Sequence, residues 1–260
     1  MNSLLMIDIP DFFVEYEDNV EYGYSSEKLK RNLRKALQKA SSGYCMYCYK
    51  RIVIDGNEVG HLEHAIEKDY SPKLEQCVPN IGIACSKCNL SYKKKEQQCR
   101  IISEDEIQAF EKGSCAKNCT TTCNKYMRMK SVYLKNKAAH IILQPGGVLG
   151  IETKNPLRLQ YDVLQSKFQA SNKFEYSEKE VAFIEDHIRR FRLNGEHEKT
   201  KQLVKFLKDT IDNEGYYTKM EYNHYIVELF VNKLKGRPRE EVVKVCGYLY
   251  IKSVMKFQVE

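Results

Sequence analysis

The chain has no run approaching the eighteen or so uninterrupted apolar residues of a membrane-spanning helix, which excludes a spanning segment of that kind. Its first residues lack the basic stretch that opens a secretory signal, and Met1–Gly23 carries several acids instead. Neither an internal repeat nor a low-complexity segment occurs. Lys and Arg are missing from residues 1–25, which hold Asp8, Asp11, Glu15, Glu17, Asp18 and Glu21, so the rest of the chain carries +13 of a net +7. A basic body suits a polyanion partner, because Lys and Arg that neutralise phosphates release counterions. A solvated surface with a positive bias explains the same numbers.

At 260 residues, with 42% apolar and 30% charged residues, the composition is that of a folded globular protein with one large or two small domains. Ten cysteines in a leaderless, lysine-rich chain imply reduced thiolates on metal and a cytoplasmic location rather than a secreted disulfide scaffold. Four are in two pairs, Cys45-x-x-Cys48 and Cys85-x-x-Cys88, with 36 residues between the pairs. Each pair presents two thiolates from a tight turn, and together they read as one tetrahedral zinc site. Cys99, Cys115, Cys119 and Cys123 form a second group with irregular spacing, read either as another zinc site or as small buried hydrophobes. Cys77 and Cys246 read as structural.

Helical periodicity runs from Ser26 to Ala40, with Leu29, Leu33, Ala36, Leu37 and Ala40 on one face and Lys28, Lys30, Arg31, Arg34, Lys35 and Lys39 on the other. Ser25 or Ser26 suits the N-cap. A strand is expected at Arg51–Ile54, a turn at Asp55–Asn57, and a returning strand at Glu58–Ala65. A loop should follow over Asp69–Pro79, then a helix over Cys88–Gln98. His140–Ile151 reads as strand, Pro-Gly-Gly turn and strand. Four helical stretches are expected beyond Glu178, with Val181, Ile184, Ile188 and Phe191 on the first and Leu203, Phe206, Leu207 and Ile211 on the second. The last two, about 218–235 and 239–257, are divided by Gly236-Arg237-Pro238.

The zinc pairs enclose His61-Leu62-Glu63-His64 and Asn80, and the second pair runs directly into Asn89. Phosphodiester hydrolysis needs a cation that screens the phosphate and stabilises the leaving oxygen, together with a base that activates water. Glu63 offers a hard carboxylate oxygen, Asn89 an amide oxygen, and a neutral His64 a proton acceptor near pH 7. So few protein ligands leave room for water and phosphate around Mg2+ or Mn2+. Neighbours on a regular strand face opposite sides, so Glu63 and His64 can share a centre only where the strand ends or distorts. Otherwise His61 becomes the alternative.

The order Cys45/Cys48, Glu63-His64, Asn80, Cys85/Cys88, Asn89 resembles the HNH endonucleases of the ββα-metal superfamily. The match spans about residues 44–95. It implies His64 as general base, Glu63 and Asn89 as ligands of catalytic Mg2+ or Mn2+, Asn80 as a brace for the loop holding the base, and a separate structural zinc on the four cysteines. Lys93, Lys94 and Lys95 would then contact substrate phosphate, although such a triplet alone is equally a solvated face. Cys45-Met-Tyr-Cys48, Leu62-Glu63-His64, Tyr70-Ser-Pro72, the run from Asn80 to Asn89, and Arg192-Leu193-Asn194 are similar to the anti-phage Septu and retron-associated HNH proteins. In that group a proline stands where this chain has Glu67. The resemblance implies a DNA-cutting effector of a bacterial defence system beside a partner ATPase.

The expected architecture is therefore α+β: an acidic arm over 1–25, a zinc-pinned ββα-metal HNH nuclease domain over 26–124, and a mostly α-helical region over 125–260 for partner docking or DNA contact. The arm could mask the basic surface as a DNA mimic. A non-catalytic zinc module binding nucleic acid or protein, and an RNase on the same scaffold, are the alternatives.

Overall fold

A computed structural model describes residues 2–54, 56–112, 119–195, 198–213 and 222–257. A short helix α1 (Asn2–Leu5) leads into strand β1 (Met6–Asp8), and helix α2 (Glu27–Ala40) follows. Ser26 caps α2 by accepting from the Leu29 amide (3.3 Å), as its spacing predicts, and Leu33 and Leu37 are buried beneath it. The strand–turn–strand expectation is met by shorter pieces. Here β2 (Val53–Ile54) pairs with β3 (Asn57–Glu58), while Asp55 of the turn lies outside the described residues. Strand β4 (Gly60–His64) continues on, and α3 (Pro72–Gln76) follows it. The expected loop over 69–79 thus contains a helix, because the Ser71 hydroxyl accepts from the Lys73 amide and Pro72 sits at a first-turn position where no amide is needed.

Strand β5 (Ile81–Cys85) runs antiparallel to β4 with Gly60 opposite Cys85, Glu63 opposite Gly82 and His64 opposite Ile81. Gly82 is a glycine for a steric reason, since a Cβ there would lie 2.9 Å from the Gln144 carbonyl oxygen. The helix expected over Cys88–Gln98 is instead one wide turn, Cys88–Tyr92, closed by a Lys93 amide to Cys88 carbonyl bond of 2.9 Å. It stops because Arg100 takes the Lys93 and Lys95 carbonyls and Glu96 adopts a left-handed φ of 61°. Helices α4 (Glu104–Glu111) and α5 (Asn124–Tyr133) then pack together, joined by Arg128 to Glu106 at 3.0 Å.

Strands β6 (Leu159–Asp162) and β7 (Lys167–Ala170) complete a three-stranded antiparallel sheet ordered β1-β6-β7. The second half ends in α6 (Glu178–Arg190), α7 (Glu198–Asp212), α8 (Tyr225–Leu234) and α9 (Arg239–Phe257), close to the expected helical runs; residues 218–221 of the third lie outside the description. Ser177 and Glu180 form a reciprocal capping box on α6. Asn194, just past it, is stitched by its side chain to both backbone groups of Phe168 in β7 (2.7 and 3.0 Å). The strands expected over 140–151 are absent. The first half of that segment is buried but sends its amides elsewhere, Ile142 to the His187 ring (3.0 Å) and Gly146 to the Phe12 carbonyl (3.0 Å), and its end makes only an isolated bridge, Leu149 to Pro156.

The architecture is mixed α+β with small sheets and mostly helical structure toward its C-terminal end. Among the described residues no helix is long and apolar enough to cross a membrane. One contiguous hydrophobic cluster runs from Leu4 to Leu249, across all three expected divisions. The acidic N-terminal segment packs onto the body: β1 pairs with β6 and buries Ile7, while Asp8 and Asp11 are neutralised by Lys173 (2.9 Å) and Arg158 (2.8 Å).

Candidate functional site

The first cysteine pair sits in a tight turn whose geometry is fixed by its neighbours. The Cys45 amide donates to the Lys50 carbonyl (2.7 Å), the Tyr49 amide to the Cys45 carbonyl (3.0 Å), and the Met46 amide to Ile83 of β5 (3.1 Å). The second pair lies where β5 ends at Cys85 and the wide turn begins at Cys88. The hydrogen bond from Met46 to β5 therefore brings the two turns together. All four sulfurs lie within 4.8 Å of one another, with Cys48 and Cys85 at 3.6 Å. A tetrahedral zinc with bonds of about 2.3 Å needs sulfurs roughly 3.8 Å apart, so the four cysteines can hold a zinc ion with little adjustment.

Among the described residues the second cysteine group does not assemble in this way. Cys99 is exposed, the Cys123 sulfur accepts from the Tyr126 amide (3.5 Å) as the cap of α5, and Cys119 donates to the Thr121 carbonyl (3.5 Å). Cys115 lies outside the described residues. Cys77 and Cys246 are buried, consistent with structural thiols.

Glu63 is almost fully buried, 2% exposed, and both of its oxygens are engaged. Tyr47, inside the first cysteine pair, donates to Oε2 (2.7 Å), and the Lys93 ammonium donates to Oε1 and to the His64 carbonyl. Burial and the Glu63 charge push the Tyr47 phenol well above its ordinary value, so it stays a donor. Lys93 is itself 5% exposed. This corrects the expectation that Lys93 contacts phosphate: the wide turn directs it inward onto Glu63, while Lys94 and Lys95 remain exposed.

His64 ends β4 and is oriented differently. Its Nε2 lies 3.1 Å from the Glu75 carbonyl, which fixes Nε2 as the donor and leaves the Nδ1 lone pair free to accept. Tyr24 packs edge-on against the ring at 4.7 Å. Burial lowers the His64 pKa, opposed more weakly by the Glu75 carbonyl and the Glu63 charge, so the ring is neutral at pH 7. The Glu63 and His64 side chains share no partner; their common contact is Lys93, through one side chain and one carbonyl. His61 is exposed on β4 and lines a groove with Tyr24, Lys30 and Arg34.

Asn80 is wholly buried and braces the segment after His64. It accepts from the Ile66 amide (2.8 Å) and Tyr126 hydroxyl (3.3 Å), and donates to the Ile66 and Leu74 carbonyls (2.9 and 3.1 Å). Asn89 is half-buried, and its side chain makes no hydrogen bond to another described residue. Tyr47 and Lys93 hold the two Glu63 oxygens, so any cation ligated by Glu63 requires Lys93 to leave.

Three supporting groups were not legible as site residues. Tyr47 hides inside a zinc pair, and Tyr24 precedes a helix cap. Arg100 is buried and binds Glu67, Tyr133 (3.2 Å), and the carbonyls of Lys93, Lys95 (2.8 Å) and Ala138 (2.9 Å). Glu67, standing where the resembling proteins have proline, is thus the anchor for this guanidinium. The sequence signal for the pair was that departure alone. Compared with protein-family models, curated proteins and solved structures, the chain finds no significant match.

Proposed function

We propose that this protein is a metal-dependent endonuclease of the HNH, ββα-metal type that hydrolyses DNA phosphodiester bonds. The observation that carries the reading is His64: a neutral imidazole at a strand end, its Nε2 held by the Glu75 carbonyl, beside a four-cysteine cluster suited to structural zinc. Fixing one ring nitrogen as donor presents the other as a base, and that base can take the proton of a water attacking phosphorus. Asn80 holds the chain after His64 in place, and Arg100 ties that chain to the turn bearing Asn89 and Lys93. Glu63 and Asn89 would hold Mg2+ or Mn2+, which when bound supplies charge stabilisation at the phosphate. On the same reading β4, β5 and the Cys88–Tyr92 turn form the ββα unit, and the resemblance to anti-phage effectors makes a neighbouring ATPase the expected partner.

One observation favours a second reading. Lys93 already satisfies Glu63, so the carboxylate has a structural role without any metal, as a non-catalytic zinc module requires. Plasmid nicking by zinc-loaded protein with added Mg2+ or Mn2+ separates the two. His64→Ala should reduce nicking by at least about a hundredfold, within the range for loss of a general base, while zinc content is unchanged. Equal nicking by the variant removes the assignment, and no nicking by wild type with any divalent ion leaves the zinc module.

A further inference from the structure

We infer that α2 carries the DNA-binding surface of this protein, a straight row of four cations, Lys28, Arg31, Lys35 and Lys39, that grips the backbone of duplex DNA and leads it to His64. The inference rests on the nuclease reading for its purpose but on independent residues for its geometry.

Along α2 three rows have distinct surroundings. Leu33 and Leu37 face the core. Glu27, Lys30 and Arg34 line a groove of about 470 Å³ shared with Tyr24, Gly60, His61 and Leu62. Lys28, Arg31, Lys35 and Lys39 are exposed and recur at i, i+3, i+7 and i+11, which places them in one stripe beside the groove row.

The two basic rows differ in pairing. In the groove, Lys30 is bound to Glu27 (3.0 Å) and Arg34 to Glu58 (3.4 Å), so that row is internally neutralised. The outer stripe has no such partner: none of its four cations forms an ion pair or hydrogen bond with a described residue. Arg31 feels the charge of Glu27 one turn before it, but the four cations still repel one another at this spacing, and a polyanion relieves that repulsion.

The occupant follows from shape and charge. Eleven residues of helix at about 1.5 Å each make a rigid rail of about 16 Å. Duplex DNA carries about one charge per 1.7 Å of axis, so a rigid duplex offers the rail a matching row of phosphates without ordering a flexible strand. The rail also ends at the candidate chemistry. Tyr24, two residues before the Ser26 cap, lies edge-on to His64, and the Lys30 ammonium sits 4.7 Å above the Tyr24 ring. Glu21 is exposed and its carbonyl accepts from Asn32 of α2 (3.0 Å), which puts one acid beside the N-terminal half of the rail.

The test is a salt titration of zinc-loaded full-length protein binding a labelled 30-base-pair duplex with no added divalent ion. The variant carries Lys28→Gln, Arg31→Gln, Lys35→Gln and Lys39→Gln; a charge-matched control carries Lys201→Gln, Lys205→Gln, Lys235→Gln and Lys244→Gln, all exposed and on other helices or their ends. Losing four phosphate contacts should flatten the slope of log affinity against log salt by about 3 to 4, and over the decade from 1 M down to 0.1 M salt this corresponds to about a thousand- to ten-thousandfold weaker binding. The control should keep most of the slope. Retained zinc and circular dichroism establish that the variant is folded. Wild-type slope in the α2 variant, an equal loss in the control, or tighter α2-dependent binding to single-stranded DNA overturns the proposal. Failure to cut DNA with any divalent ion, with α2-dependent binding intact, removes the nuclease reading and leaves this surface standing.

Discussion

Removing one member of the Glu63–Lys93 pair should destabilise the protein far more than removing both. The two side chains are 1% and 6% exposed, so neither charge is screened by water once its partner is gone. Breaking a buried pair from one side costs about 3–5 kcal/mol, whereas replacing both members by groups of similar volume is often neutral or stabilising. Glu63→Ala also strips the Tyr47 hydroxyl of its acceptor, a further loss of about 1–3 kcal/mol for a buried polar group. Lys93→Met leaves the carboxylate with Tyr47 alone. We expect each single change to cost at least about 3 kcal/mol, and Glu63→Gln with Lys93→Met together to lie within about 1 kcal/mol of wild type. Urea unfolding in saturating zinc measures this, followed by far-ultraviolet circular dichroism because the chain has no tryptophan. Single variants within about 1 kcal/mol of wild type would show that the pair is not desolvated. If the double variant also cuts DNA as wild type does, Glu63 is not a metal ligand.

Purified protein should carry one zinc per chain through Cys45, Cys48, Cys85 and Cys88, and Cys48→Ser should lose it. Structural zinc supplies folding free energy directly, so the variant should melt at least about 10 °C lower at about 2–4 °C per kcal/mol; a melt within 2 °C of wild type by circular dichroism rules out a structural role. Burial lowers the His187 pKa to about 3, so the folded state keeps this ring neutral while the unfolded chain binds a proton below about pH 6.5. The associated stability is full above that value and falls as pH drops toward 3, amounting to about 2 kcal/mol between pH 7 and 5. His187→Gln keeps an acceptor for the Ile142 amide and should flatten this part of the urea-derived stability profile; parallel profiles refute the assignment. Gly82→Ala should cost about 1–3 kcal/mol by forcing β5 off the Gln144 backbone, and a variant as stable as wild type shows that the segment yields.

What the sequence determined by itself was local. Helix stripes such as Leu33 with Leu37 or Phe206 with Leu207 follow from a repeat within one turn, and α2 and the four late helices formed near their expected places. The zinc cluster was equally legible, because two short turns each bring two sulfurs into reach before any tertiary contact forms. The tertiary structure decided what depends on distant partners. Lys93 looks like its neighbours Lys94 and Lys95 in sequence, yet a turn one residue wider than an α-helical one buries it on a carboxylate 30 positions away. Met6–Asp8 became a strand because Leu159–Asp162 was there to pair with it, while His140–Ile151, with the better strand pattern, made only one isolated bridge, Leu149 to Pro156. Tyr24 gained its place against His64 only when α2 docked beside β4. Periodicity reports which face of an element is buried; which side chain meets it across the core is fixed by chain crossings that no local pattern encodes.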